Sequence, residues 1–522
     1  MFDHDALSTI GTLARENARR APGRACNVFE GRTTTFAAFD AHCDRIANAF
    51  TDLAARRVAY LGKNCDTVFE VLVGAARAGV LFAPVNWRLA PPEVAAILAD
   101  FAPQVLFVGP ECAEAVAAIR GRLPPGLTLI AMEGGHPQWP AFDAWRDASR
   151  AEAHPDRGRA GEPVLVLFTS GTTGLPKGAM LSHDNLFGQR RHTPATLTYD
   201  HWNDDDVSLT SMPVAHIAGS GWWMLGFVNA CTNIITREFD PGAIIAIIAR
   251  ERVSKLFLVP AALQLIVRHP EAIGTDFRCV DLICYGAAPM PLALLREAIT
   301  LIGCDFLQCY GLTETTGTVA MLLPAEHTAD GAPRMRSAGR AAPGSQIRIV
   351  GPHGETLPPG AIGEVAIRGT AVMLGYLDKP DATAQVLGRD GWFRSGDAGY
   401  LDEDGFLYIH DRIKDMIITG GENVYPAEVE NAIFGHPDVD EVAVIGVPDE
   451  VWGEAVKAIV APRPGHVVDR EAVLAWTRER LAAFKCPKTI DIVDALPRNA
   501  AGKVLRRELR RPYWAVQERQ VH

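Results

Sequence analysis

Phe168-Thr169-Ser170-Gly171-Thr172-Thr173-Gly174-Leu175-Pro176-Lys177-Gly178 is the stretch against which the rest of this 522-residue chain is read. Four hydroxyls, three glycines and a lysine fall within these eleven residues. The apolar run Val164-Leu165-Val166-Leu167 just before it has the pattern of a strand covered on both faces. Beyond it, Ser182-His183-Asp184-Asn185 supplies side chains suited to capping a helix. Strand, glycine-rich loop and helix start together describe a phosphate cradle. Glycines let backbone N–H groups approach an anion, hydroxyls add donors, and a lysine adds charge. The spacing is not that of a Walker loop, because Gly178 follows Lys177 where Ser or Thr would stand.

Working outward, the length exceeds one ordinary core and implies roughly three structural units. A chain that is 48% hydrophobic and 22% charged has the composition of a folded globular protein. Its net charge of −11 argues against nucleic acid or an anionic membrane as the main partner. Ten cysteines are scattered without a zinc spacing and read as free thiols of a reducing cytoplasm. Met1 to Leu13 lacks the apolar core of a signal peptide, and the apolar patch at Ile244 to Ala249 is too short to cross a bilayer. The chain reads as cytoplasmic. Peripheral membrane contact and a homodimer are left open.

The fold class expected is α/β. Val58 to Leu61, Val105 to Val108, Lys255 to Val259 and Leu282 to Tyr285 are short buried-strand runs alternating with helical stretches, which implies parallel βαβ units. Thr33-Thr34-Thr35 leads into Phe36, Phe39, Cys43, Ile46 and Phe50, one apolar stripe on a capped helix. From about Gly339 the strand-like runs Ile347 to Val350, Val365 to Arg368 and Phe406 to His410 predict a small β-rich subdomain. After Asp411 a βα rhythm resumes, with Pro426 at a helix start and strands at Val442 to Val447 and Val456 to Val460.

Several downstream motifs carry chemistry. Tyr285-Gly286-Ala287-Ala288-Pro289 closes a strand in a turn of small residues, against which a flat heterocycle can lie. In Tyr310-Gly311-Leu312-Thr313-Glu314, Tyr310 can stack on a purine, Thr313 can donate to a phosphate, and Glu314 can hold a hard cation. Asp397, in Ser395-Gly396-Asp397, suits the two hydroxyls of a ribose. After His216, the run Ile217-Ala218-Gly219-Ser220-Gly221-Trp222-Trp223-Met224-Leu225 would place Ile217, Gly221 and Met224 or Leu225 on one helical face. That face would carry no charge to pair with a second carboxylate or an amine.

Taken in order, these motifs resemble the adenylate-forming superfamily, and most of all its bacterial fatty acid–CoA ligases. The resemblance covers roughly residues 160 to 505. It implies a large N-terminal domain, residues 1–413, of two βαβ-type sheets plus a β subdomain, and a mobile α+β domain, residues 414–522, hinged at Lys414. It assigns ATP to Thr169, Ser170, Gly171, Thr172, Thr173, Gly174 and Lys177, the adenine to Gly286, Ala287, Ala288, Tyr310 and Gly311, and the ribose to Asp397 and Arg412. Thr313 would meet phosphate and Glu314 would hold Mg²⁺. His216, Ile217, Gly221, Gly286 and Gly311 would line the acid pocket. Lys503 would neutralise charge at the α-phosphate, and Gly420 and Gly421 would line the tunnel for coenzyme A. The implied reaction makes an acyl-AMP and then a thioester, with a fatty acid expected before an aromatic one. Rivals are an aromatic-acid ligase, a ligase that loads a carrier protein, a P-loop phosphotransferase and a non-catalytic nucleotide-binding regulator.

Overall fold

A computed structural model describes residues 9–169, 176–192, 202–203, 205–412, 415–419, 422–449, 451–498 and 503–514. Ser170, Gly171, Thr172, Thr173, Gly174, Lys414, Gly420 and Gly421 lie outside the described residues, as do the side chains of 188–192 and Arg412.

The apolar runs become strands of two sheets. Edge to edge, the first is Gly375–Tyr376, Lys177–Ser182, Pro163–Thr169, Leu81–Val85, Arg57–Leu61, Val105–Val108 and Thr128–Ala131. Its interior is parallel, with Val58 opposite both Phe82 and Val105. The second runs Arg340–Ala341, Ala320–Leu322, Asp305–Tyr310, Leu282–Gly286, Lys255–Leu258, Val207–Thr210, Thr232–Ile235, Ala25–Phe29 and Arg32–Thr35. Helices connect the parallel strands, as burial on both faces requires. The helix Phe36–Asp52 begins where its threonines predict, with the Thr35 side chain accepting from the Ala38 N–H. Phe36, Phe39, Cys43, Ile46 and Phe50 are all buried on it. Trp223 is fully buried and stacked on Phe69 at 4.2 Å, so it belongs to the core.

Two local expectations need correction. The phosphate-loop stretch does not run from strand to helix. A second strand, Lys177–Ser182, intervenes and pairs antiparallel with Pro163–Thr169, because Gly178, Ala179, Leu181 and Ser182 bury there. The helix follows at His183, capped reciprocally: Ser182 Oγ accepts from the Asn185 N–H, and Asn185 Oδ1 accepts from the Ser182 N–H. Between Val58–Leu61 and Val105–Val108 lies another strand, Leu81–Val85, rather than helix alone.

The expected β subdomain is a four-stranded antiparallel sheet: Ser345–Val350, Gly363–Gly369, Phe393–Leu401 and Leu407–Arg412. The smaller C-terminal part has its own core around Val429, Ile433, Val444, Val456 and Val460. Its long strands Val439–Asp449 and Gly453–Pro462 form an antiparallel hairpin, with no helix between them. The βα rhythm is thus confined to the helices that flank this hairpin, Pro426–Phe434 and Arg470–Arg478. Among the described residues no helix is long and apolar enough to cross a membrane.

Candidate functional site

Thr169, Gly286 and Tyr310 stand at the carboxyl ends of their strands, the end at which open α/β sheets bind ligands. Thr169 ends its strand directly opposite Lys177, and its hydroxyl donates to the Lys177 carbonyl at 3.3 Å. The loop residues between them therefore start and finish on one hydrogen-bonded rung. The Lys177 ammonium lies 5.3 Å from the centre of the Tyr376 ring. Tyr376 in turn donates its hydroxyl to Glu314 Oε1 at 2.8 Å. Met373 N–H donates to the Glu314 carbonyl at 2.8 Å, fixing the backbone of the short 3₁₀ turn Thr313–Thr315.

Four residues upstream of Glu314, the Tyr310 hydroxyl donates to Asp397 Oδ2 at 2.6 Å. Asp397 is only 5% exposed, and its N–H donates to Ser395 Oγ at 3.0 Å. In strand register Asp397 stands opposite Arg412. The segment from Tyr310 to Glu314 thus joins Asp397 at one end to Tyr376 and Lys177 at the other. Thr313 lies half-buried between them.

Small residues let this segment pack closely. A Cβ on Gly286 would meet the Cys309 carbonyl oxygen at 2.1 Å, and one on Gly311 would meet the Gly317 carbonyl oxygen at 2.5 Å. Ala287, exposed in the turn beyond, has φ +66°, a left-handed conformation that costs an L residue about 1–2 kcal/mol. Ala288 beside it is half-buried. Strain of this kind in a turn of small residues accords with a backbone shaped to receive a flat ligand.

His216 precedes the helix Ile217–Val228 as its N-cap. Its Nε2 lies 3.4 Å from Asn86 Nδ2, and burial, with the Arg88 charge nearby, lowers its pKa to about 4. The ring is neutral at pH 7, with the Asn86 amide as donor. On the helix, Ile217, Gly221 and Leu225 are half-buried, whereas Trp222, Trp223 and Met224 are buried. Spacings of four make one partly open stripe, and the alternative between Met224 and Leu225 resolves to Leu225. The Ile217 side chain lies against both Gly221 and Gly317, so this stripe reaches the Tyr310–Gly317 segment. Leu225 packs with Trp222, Leu282, Cys284 and Leu307.

Lys503 is exposed on the small C-terminal part, beside the bridge between Arg498 and Val504. The structure gives this region a further feature that sequence reading missed. Arg506 donates to Asp411 Oδ1 at 3.1 Å and to both Glu430 oxygens at 2.8 Å, while Arg510 donates to Asp415 Oδ1 at 3.3 Å. Asp411 also accepts from the Ala427 N–H at 3.1 Å. Arg506, Arg507, Arg510 and Arg511 form a basic cluster in the sequence, of the kind that by default is a solvated helix face. Two of its members are instead half-buried in ion pairs, since the acids that neutralise them come from distant parts of the chain. Tyr376 was missed too, because a lone tyrosine in a two-residue strand has no pattern to mark it.

Comparison with known proteins gives a consistent result. A family profile described as AMP-binding enzyme matches residues 14–377, and the AMP-binding enzyme C-terminal domain matches residues 428–503. The chain is 38% identical to the fatty acid–[acyl-carrier-protein] ligase ScoC of Streptomyces coeruleorubidus, over 99% of each chain. It is 39% identical to a feruloyl-CoA synthase of an Amycolatopsis species, over 97% of this chain and 99% of that one. Among solved structures, ATP-bound MatB from Rhodopseudomonas palustris superposes with a TM-score of 0.86 at 31% identity, covering 97% of this chain and all of the other.

Proposed function

Because the chain belongs to the AMP-binding enzyme family, in the acyl-CoA synthetase branch of the adenylate-forming superfamily, we propose that it activates an apolar monocarboxylate with no second charged group and passes it to coenzyme A. It is an AMP-forming acid–thiol ligase, working through an acyl-adenylate. A carboxylate oxygen attacks the α-phosphorus of ATP and the bond to pyrophosphate breaks. A thiol then attacks the acyl carbon, and AMP leaves with the bonding electron pair.

The observation that carries this reading is the single segment Tyr310 to Glu314. It bonds to Asp397 at one end and, through Tyr376, reaches Lys177 at the other. The arrangement supports Asp397 as the ribose carboxylate, with Tyr310 orienting it. Thr169 and Lys177 would frame the phosphates and fix their position, the main source of rate in phosphoryl chemistry. Glu314 offers one hard oxygen donor. That fits a Mg²⁺ ion, which takes most of its ligands from phosphates and water and would neutralise phosphate charge. Lys503 would add positive charge where negative charge accumulates during adenylation. The half-buried stripe Ile217, Gly221 and Leu225 carries no charged group, which supports an acid with no second carboxylate or amine. His216, neutral at the start of this helix, can donate one ring N–H to the carboxylate. Lys414 is proposed as the hinge between residues 1–413 and 414–522.

Pyrophosphate release with a panel of acids, with and without coenzyme A, tests the function. Release should require an apolar monocarboxylate, and thioester should appear only with coenzyme A. Thioester formation on a carrier protein alone would move the acceptor to a tethered phosphopantetheine, the acceptor type named for ScoC. No release with any acid would sink the ligase reading.

A further inference from the structure

Side chains on a strand alternate between faces, so Glu441, Ala443, Ile445 and Val447 share one face of the strand Val439–Asp449. Ala443 and Ile445 are buried there in a cluster with Leu496, and Val504, Leu509 and Tyr513 pack against it. The chain before Lys503 and the chain after it are thus seated on one face. They are also tied to each other. Arg498 and Val504 form an antiparallel bridge, and the Leu505 N–H donates to the Pro497 carbonyl at 2.8 Å. Lys503 stands one residue from that bridge.

Glu441 opens this row with a charge, and its carboxylate uses both oxygens. Oε1 accepts from Arg498 Nη2 at 2.6 Å and from Nε at 3.2 Å, while Oε2 accepts from the Leu496 N–H at 3.1 Å. Glu441 and Arg498 side chains are 22% and 29% exposed, more shielded than the open surface pairs whose worth is near nothing. A β-bulge sets the aim. Val439 pairs with Pro462 and Glu441 with Ala461, so Asp440 is an extra residue, and bulges redirect the side chains beside them. Asp440 accepts from Gln264 of the large part at 3.1 Å, whereas Glu441 serves the approach to Lys503. Glu441, Leu496 and Arg498 all lie after residue 414, so a turn at the proposed hinge carries their bonds along unbroken. A lysine holds its charge on a flexible four-carbon stem, and its aim is set first by the backbone that bears it.

Resting on the assignment of Lys503 to the α-phosphate above, we propose that Glu441 is a positioning residue for adenylation: it fixes the Arg498–Val504 rung and thereby holds Lys503 where negative charge builds. Glu441 touches no reacting atom and acts through Lys503. Transfer of the acyl group to the thiol, which needs no charge brought to the α-phosphate, does not depend on it.

The test uses the full-length enzyme and follows each half-reaction in single turnovers. One is pyrophosphate release with octanoate or cinnamate, whichever is used faster; the other is thioester formation from the matching acyl-AMP and coenzyme A. Glu441→Ala should slow pyrophosphate release by about 10- to 100-fold, as a catalytic group displaced by up to an ångström does. The ATP concentration at half-saturation should move less than the maximal rate, because the contact is made in the transition state. Thioester formation should stay within about 2-fold of wild type, which also shows that the variant is folded. Glu441→Gln keeps an oxygen for one donor and should lose less. In Lys503→Ala, adding Glu441→Ala should cost adenylation nothing more, since no ammonium is left to aim. Unchanged pyrophosphate release in Glu441→Ala, equal decline of both half-reactions, or further loss in the double variant each overturns the proposal. If Lys503→Ala by itself spares pyrophosphate release, the assignment of Lys503 falls and the proposal with it, a failure that this variant alone tells apart from the other three.

Discussion

The apolar stripe after His216 and the ionic seam beside the proposed hinge are built from opposite materials. The stripe packs into an apolar cluster drawn from one helix and two adjacent strands of a single sheet. The seam is Asp411, Asp415 and Glu430 closed on Arg506 and Arg510, all between 5% and 18% exposed. An apolar contact selects by fit and cannot be exchanged for water without cost. An ion pair can be, since water re-solvates its charges on separation. Asp411 lies before residue 414 and the other four lie after it, so only the bonds to Asp411 need break if the small part turns there. The bond between Arg506 and Glu430 would survive the turn. One region is suited to recognise a molecule, the other to let go of itself.

The comparison is broken most severely at Lys503. Lys503→Ala should slow adenylation by ~100 to 1,000-fold, the usual loss for one preorganised electrostatic contact. Thioester formation from supplied acyl-AMP should persist. Equal loss in both half-reactions would show that Lys503 serves folding rather than the α-phosphate.

Next in size is Tyr376→Phe, which keeps the ring beneath Lys177 and removes the hydroxyl that holds Glu314. A hydrogen bond to a charged group is worth roughly 1.5–3 kcal/mol, so the Mg²⁺ dependence of ATP binding should weaken by about 10-fold or more. Calorimetric titration of ATP at several Mg²⁺ concentrations checks this without turnover. Unaltered Mg²⁺ dependence would remove Tyr376 from the site.

A smaller effect is expected at the seam. Asp411→Asn removes the charge facing Arg506 while leaving an oxygen for the Ala427 N–H. The two half-reactions should then shift in opposite directions, by roughly 3- to 5-fold, with a dependence on salt. Acid selectivity should not move. Single-turnover assays of each half-reaction at low and high salt decide the matter, and parallel decline of both would reduce the seam to a structural clamp.

The smallest effect concerns pH. Burial lowers the pKa of His183, His216 and His327 to about 4 each. The unfolded chain takes up protons near pH 6.5 while the folded chain does not. These groups therefore leave stability unchanged above that pH and reduce it as pH falls from 6.5 toward 4. Urea midpoints at pH 7.5, 6 and 5 should decline, and His216→Gln should flatten the slope slightly. A steeper slope in the variant would contradict a neutral, buried His216.

Much of the fold could be read from local pattern alone. Continuous apolar runs such as Val105 to Val108 announce strands buried on both faces, and Thr35 with its stripe announces a helix. Pattern fails where pairing is long-range. Nothing near Tyr376 marks it as the partner of Glu314, 62 residues away. Arg506 looks solvated until Asp411, 95 residues earlier, is placed beside it. The strand Lys177–Ser182 was missed for a local reason, since small residues such as Gly178 and Ala179 carry weak strand propensity and bury only because Pro163–Thr169 lies alongside. At the site, motifs named the residues of the Tyr310–Glu314 segment, whereas the bonds joining them to Asp397 and Lys177 appear only in three dimensions.

The strand Ala25–Phe29 stands beside Thr232–Ile235, and Asn233 Nδ2 donates to the Cys26 carbonyl across 207 residues of chain. Synthesis adds ~5–20 residues each second, so the nascent chain waits about 10 to 40 seconds before this strand's neighbour exists. Through that interval the strand has only Arg32–Thr35 to pair with, and any fragment ending before Thr232 leaves its other edge unpaired. The order in which the chain emerges therefore matters to this enzyme's yield. Slow translation between residues 29 and 232 prolongs the vulnerable period, and a chaperone that covers the open edge of Ala25–Phe29 until Thr232–Ile235 emerges would protect it.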